Sequence, residues 1–253
     1  MDWSRAKTIF IISFILLDLF LAAQISHMIE QKSNYLRTDE ITDEQIRELL
    51  EAKQIRITTP IADRTTKIPA LQATITPVFN WDHDEKWIYQ HSFHPQIPIK
   101  DQTALQKYLK EKLPFFHEYT YSKESSSNNK HVFLQLHERY PIFDGKIVCN
   151  LENGAMSNIQ VLHFQIKKQV NVDFISFNHA LFNFITRENL PKKAKITNVV
   201  LGYRSMYYPS PNDVILLPVW RFTVNHQQHY YIYATTNNLN DHTAWQQINK
   251  KES

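Results

Sequence analysis

The chain has 253 residues, 28 Lys and Arg against 25 Asp and Glu, a net charge of +3 and 43% hydrophobic residues. Its basic residues are scattered among acids, apart from Lys192-Lys193 and the Lys250-Lys251 tail, so the basic stripe of a nucleic-acid binder is absent. One cysteine excludes an intrachain disulfide, and three glycines exclude the phosphate loops of nucleotide-binding proteins, which need several glycines within a few residues.

The first element is an apolar run from Ile9 to Ile25, broken near its middle by Asp18. As a helix these 17 residues reach about 26 Å, slightly short of a hydrocarbon layer of about 30 Å, and Met28 and Ile29 extend it. Twelve Ile, Leu and Phe residues supply roughly −4 to −7 kcal/mol of insertion free energy against about +3 for the Asp, so insertion wins. Cleavage after Ala22 or Ala23 would put Phe20 or Leu21 where a small residue is needed, which favours an uncleaved signal anchor. Arg5 and Lys7 precede the run, whereas residues 30–44 carry Lys32 and Arg37 against five acids. The positive-inside rule then puts residues 1–8 in the cytoplasm with Trp3 in the inner interfacial belt. Residues 9–28 form the single transmembrane anchor, and residues 29–253 are extracytoplasmic and expected to fold without it.

Three helices follow. Thr42 and Gln45 make a capping box, with Ile41 and Ile46 as a staple, and Ile46, Leu49 and Leu50 line one face to about Lys53. A second helix starts near Asp101, carries Leu105, Tyr108, Leu109 and Leu113, and stops at Pro114. A third starts near Asp173, carries Ile175, Phe177, Leu181, Phe184 and Ile185, and stops before Pro191.

Each helix precedes β-rich sequence. Strands are expected at 56–58, 70–78 and 87–93; at 119–121, 131–140, 146–151 and 159–167; and at 195–208, 214–224 and 229–235. Asp144-Gly145 and Asn153-Gly154 are hairpin signals, with Gly145 at positive φ. The strand links are too short for crossover helices, so the expected class is α+β, antiparallel sheets with packed helices in two subdomains.

Catalytic chemistry is scarce. His91/His94 and His226/His229 have H-x-x-H spacing but lie in strand or loop sequence, and no His-Glu-x-x-His zinc pattern occurs. Asp82, Asp84 and Glu85 lack the order of a calcium loop and read as a solvated acidic loop between Trp81 and Trp87. Ser176 and Ser205 lie in no nucleophile elbow. Cys149, inside Ile147-Val148-Cys149, reads as a buried inert thiol. No catalytic residue, metal site or cofactor site is assigned, and the chain is read as a non-enzyme.

The opening Asp2-Trp3-Ser4-Arg5-Ala6-Lys7-Thr8-Ile9-Phe10, running into a single anchor, resembles the start of the YycI (WalI) family. Three further blocks agree: Ile41-Thr42-Asp43-Glu44-Gln45-Ile46; Tyr140-Pro141-Ile142-Phe143-Asp144-Gly145; and Val200-Leu201-Gly202-Tyr203 with Leu217-Pro218-Val219-Trp220-Arg221. The resemblance implies a YycH/PepSY-like extracytoplasmic fold. It also implies an accessory protein that works with a YycH-type partner on the sensor histidine kinase WalK (YycG) controlling cell-wall metabolism. A second reading is a membrane-tethered PepSY-like module that binds cell-wall material or restrains an extracellular protease, which predicts a groove in the soluble part.

Asp18 ties the physics to the first reading. A carboxyl near the midpoint of a span costs about 2.5–3.5 kcal/mol facing lipid, so it faces protein or water, and a one-span chain has no second helix to supply a partner. Phe14, Ala22 and Ile25 share its helical face, and Ala22 permits close backbone approach. This face is the expected intramembrane docking surface.

Overall fold

The computed structural model describes residues 3, 7, 17–18, 41–62, 64–79, 81–191, 193–206 and 214–235. The chain divides into two compact units, Met1–Thr42 and Asp43–Ser253. In the first, Trp3, Lys7, Leu17 and Asp18 are helical and exposed. Lys7 Nζ stands 5.8 Å from the Trp3 ring centroid, a cation–π contact one helical turn apart. Among the described residues no helix is long and apolar enough to cross a membrane. The span expected at 9–28 lies outside them except for Leu17 and Asp18.

The second unit opens with α1 (Asp43–Lys53), directly after Thr42, and buries Ile46. Strands β1 (Arg56–Ile57), β2 (Ala70–Ile75), β3 (Asp82–His83) and β4 (Tyr89–Pro98) follow. Helix α2 (Gln102–Lys112) is capped by Asp101, whose carboxylate accepts the Ala104 N–H at 2.8 Å, and it ends before Pro114. Next come a 3-10 turn (Phe116–Glu118), β5 (Tyr119–Tyr121), β6 (Lys130–His137), β7 (Tyr140–Glu152), β8 (Ala155–Val161) and β9 (Phe164–Val170). Helix α3 (Phe177–Arg187) precedes β10 (Lys195–Met206), β11 (Val214–Val224) and β12 (Gln228–Tyr233). Ser176 caps α3 by accepting the His179 N–H, so this helix starts later than Asp173, and Ile175 lies outside it.

All twelve strands join one sheet in the order β3-β4-β8-β7-β10-β11-β2-β9, with β1 also on β10, β12 on β11, β6 on β7 and β5 on β6. The sheet is mixed rather than purely antiparallel, because β1 and β7 both pair parallel to β10. Strand β2 pairs with β9, from Ala70↔Val170 to Ile75↔Phe164. The chain from β3 to β8, with α2, is therefore an insertion between two neighbouring strands.

Alternation along β6 and β7 produces two apolar layers. Phe133, Ile147 and Cys149 point into a core with Leu105 and Leu109 of α2 and with Met156, Ile159 and Val161 of β8. Val132, Leu134, Phe143 and Val148 cluster instead with Val219, Tyr231 and Tyr233 of β11 and β12. Helix α3 buries Phe177, Ala180, Leu181, Phe184 and Ile185. Phe184 stacks on Phe222 at 4.5 Å and Phe177 meets Trp220 edge-on at 5.0 Å, so α3 covers β11 through rings.

The two hairpin signals part company. Asn153 (φ 52°) and Gly154 (φ 78°) make the two-residue turn between β7 and β8, with both central residues left-handed as this turn type requires. Asp144-Gly145 is no turn: β7 runs through it, Gly145 has no positive φ, and the chain reverses earlier, at Glu138 (φ 56°) and Arg139. Residues 143–145 form an irregularity, since Leu134 pairs with Lys146 while Gln135 pairs with Ile142. Glycine is needed at 145 for room. A Cβ there would lie 2.8 Å from Gln135 Oε1 and 3.1 Å from the Phe164 ring. Gly145→Val is accordingly expected to cost about 2 kcal/mol through overpacking, and an unshifted urea midpoint would contradict that crowding.

The strand expected at 159–167 is two strands. β8 ends at Val161 and β9 begins at Phe164 in a different part of the sheet.

Candidate functional site

Of the expected membrane-helix site, Asp18 is helical and exposed, while Phe14, Ala22 and Ile25 lie outside the described residues. Of the orientation residues, Trp3 and Lys7 are in contact as above, and Arg5 lies outside.

In the second unit, three sequence segments far apart in the chain converge where β7, β10 and β11 meet. Tyr203 of β10 pairs with Ile142 of β7, and Gly202 lies opposite Val219 of β11. Asp144 accepts the Ser205 N–H at 2.8 Å and the Ser205 hydroxyl at 2.9 Å, with Arg204 Nε 3.5 Å away. The Arg204 guanidinium sits 4.2 Å over the Tyr231 ring. Arg221 lies 4.8 Å over Phe143 and donates to Glu124 at 2.6 Å, and Asn198 donates to the same carboxylate. Both arginines are buried, and each has an acid and a ring face to compensate its charge.

A second buried polar group pins the crossover from β8 to β9. The Tyr119 hydroxyl donates to the Leu162 carbonyl at 3.0 Å and lies 3.2 Å from His163 Nδ1. Gln135 Nε2 donates to the Phe164 carbonyl at 2.7 Å and to Glu118 at 2.9 Å, while Gln135 Oε1 accepts the Phe164 N–H at 3.0 Å. Phe115 stacks on the His163 imidazole at 4.0 Å. Burial pulls the His163 pKa down to about 4; Glu118, 4.0 Å away, opposes the shift and His117 adds to it. His163 is thus a neutral structural residue near pH 7, which a scan for H-x-x-H spacing had no means of finding.

The family model for YycI protein matches residues 33–235, a stretch that holds every block meeting at this joint. The chain belongs to the YycI family. Membership implies association with the WalK/YycG kinase system. Three of the four blocks behind the resemblance fall inside the match, and the opening Asp2 to Phe10 lies before it. No curated protein matches the chain. Among solved structures, the C-terminal domain of YpeB from Bacillus megaterium is 12% identical, with a TM-score of 0.37, over 79% of this chain and 95% of that one. An uncharacterized protein from Eubacterium rectale is 10% identical, with a TM-score of 0.32, and the match spans 56% of each chain, about half the length of that structure.

In this YycI-family chain the other flagged residues have structural surroundings. His91 stacks on Trp81 at 5.1 Å, and His229 Nδ1 lies 3.1 Å from the Thr223 hydroxyl. The Asp84 carboxylate accepts the N–H groups of Lys86 and Ile88 at 2.9 and 2.8 Å, building the link from β3 to β4. The acidic stretch therefore contributes a short strand as well as a loop. Cys149 is fully buried, and burial pushes its thiol up to about 12, so it stays protonated. Among the described residues no three His, Cys, Asp or Glu side chains converge to hold a metal ion.

Proposed function

We propose that the chain is a non-enzymatic, membrane-anchored regulatory protein that modulates a cell-wall-controlling sensor histidine kinase of the WalK/YycG type together with a YycH-type partner. The match to the YycI family carries this reading. It is supported by the chemistry at the joint, where the blocks that carry the resemblance are consumed in packing and ion pairing rather than presented to a substrate. In this reading the protein is a single-pass membrane protein, with its N-terminus in the cytoplasm and the folded unit outside. Asp18, flanked by Phe14, Ala22 and Ile25, then meets a helix of the kinase or of the sister protein within the bilayer.

One substitution separates docking from mere tolerance of the carboxyl. Asp18→Leu improves insertion in either case by removing a costly polar group, but it also deletes an interhelical bond worth about 0.6–2 kcal/mol if the face is a contact. Co-purification from membranes is expected to show a three- to tenfold weaker complex, with the ratio following from roughly that energy, and no loss for Leu16→Ala on another face. Undiminished complex with normal kinase output would remove Asp18 from the mechanism.

A further inference from the structure

Beyond the joint and the crossover, the described surface carries one cleft in which ring faces and unspent polar groups occur together. β3 pairs with β4 only at Tyr89 and Gln90, so the edge of β4 from His91 onward carries no strand on that side. Past that point a cleft of about 580 Å³ is lined by Phe79, Trp81, Asp82, Gln90, His91 and Ser92. Its volume lies within the range of small-molecule sites, roughly 300–1,000 Å³.

The two walls differ in chemistry. Asp82 stands directly opposite Gln90 in the ladder, and Ser92 follows two residues on, so strand alternation places the three on one side. None of these side chains takes a hydrogen bond from another described residue, which leaves a carboxylate, an amide and a hydroxyl available as a donor and acceptor set. The other wall is aromatic. Trp81 is held between Phe79, at 5.5 Å, and His91, stacked at 5.1 Å, and His91 is braced edge-on by Phe93 at 4.8 Å. The outermost ring, Phe79, is 59% exposed and sits at φ 50°. A large ring held in that unfavourable backbone region and presented to water is costly to keep for folding alone.

We propose that this cleft binds a neutral saccharide chain. A pyranose ring offers an apolar C–H face to an aromatic ring and a rim of hydroxyls to amides and carboxylates, which is the pairing the two walls provide. N-acetylated sugars fit best, because an acetamido group donates to Asp82 and exchanges both kinds of hydrogen bond with Gln90. No Lys or Arg lines the cleft, so a phosphate-rich polymer would meet only the Asp82 charge. A peptide adding to the β4 edge would lose backbone partners at Pro95 and Pro98, which have no N–H. The proposal stands independently of the kinase reading, and it supplies the groove that the cell-wall reading predicts.

The test uses the full chain in a detergent without sugar headgroups, titrated with chitotetraose and followed by tryptophan fluorescence and saturation-transfer NMR. Saturable binding is expected. Phe79→Ala should weaken it about tenfold and Gln90→Ala about fivefold, with Phe182→Ala, an exposed ring on α3, leaving it unchanged. Phe79 and Gln90 are both at the surface, so circular dichroism should show both variants folded. Absence of saturable binding, or binding that the two cleft substitutions leave undiminished, or binding weakened equally by Phe182→Ala, would overturn the proposal.

Discussion

Gly202→Ala is expected to destabilise the fold by about 3 kcal/mol or more, although it adds only one carbon. A Cβ at this position would lie 2.4 Å from the Pro141 carbonyl oxygen and 2.8 and 2.9 Å from two carbons of the Phe143 ring. Neither neighbour yields cheaply. The carbonyl belongs to β7 beside its pairing with β10, and the Phe143 ring lies beneath the Arg221 guanidinium. Opening that space separates the strands where the inserted meander meets the rest of the sheet. Elsewhere in a strand, Gly→Ala is favourable by about 0.5–1 kcal/mol, so the sign of the effect is itself diagnostic. Urea denaturation should show a lower midpoint with an unchanged slope, whereas a midpoint at or above that of the parent protein would mean that β7 and β10 are not in such contact. Gly154→Ala is the comparison: nothing stands within 4 Å of its Cβ, and only the left-handed backbone (φ 78°) charges it, at about 1 kcal/mol.

The second large effect is a loss of stability in mild acid centred on His163. Its pKa rests near 4 in the folded protein because burial disfavours the imidazolium, against about 6.5 for an exposed histidine. At pH 7 and above the ring is neutral in both states and the folded arrangement is fully stable. As pH falls from about 6.5 towards 4 the unfolded chain takes up a proton that the folded one refuses, so stability drops by up to about 3 kcal/mol. Below about pH 4 this contribution levels off. Tyr119, Glu118 and His117 are the titratable groups facing the ring, and Phe115 and Gln135 close the remaining sides. His163→Phe keeps the stacking on Phe115 but removes the titration. The difference in unfolding free energy between the two proteins should grow in favour of the variant from pH 6.5 to pH 4, and a pH-independent difference would exclude His163 as the source.

Much of the local structure was legible because its causes are local. Asp101 and Pro114 bracket α2 through a cap and a missing N–H, and Asn153-Gly154 turns because its backbone tolerates positive φ. Asp144-Gly145 carries the same signal and does not turn. Its surroundings decided otherwise: Asp144 is spent on Ser205 and Arg204 in another strand, and Gly145 makes way for Gln135 and Phe164. Alternation likewise continues through Leu162 and His163, so periodicity alone ran β8 into β9, although the two strands have different partners. The buried arginines were invisible for a related reason. Arg204 and Arg221 read as ordinary strand charges until Asp144, Glu124 and two aromatic rings arrive from elsewhere in the chain.

The sequence by itself determined the α+β class and the YycI family, together with the kind and approximate place of most elements. Caps, turns and the periods of 3.6 and 2 act over a few residues, and the family blocks are contiguous. Only the tertiary structure decided that one mixed sheet receives every strand, that the meander is inserted between β2 and β9, and that Gly202, Asp144 and Arg221 meet. Strand pairing and charge burial depend on contacts between residues tens of positions apart, and one-dimensional spacing carries no record of which surfaces those residues will share.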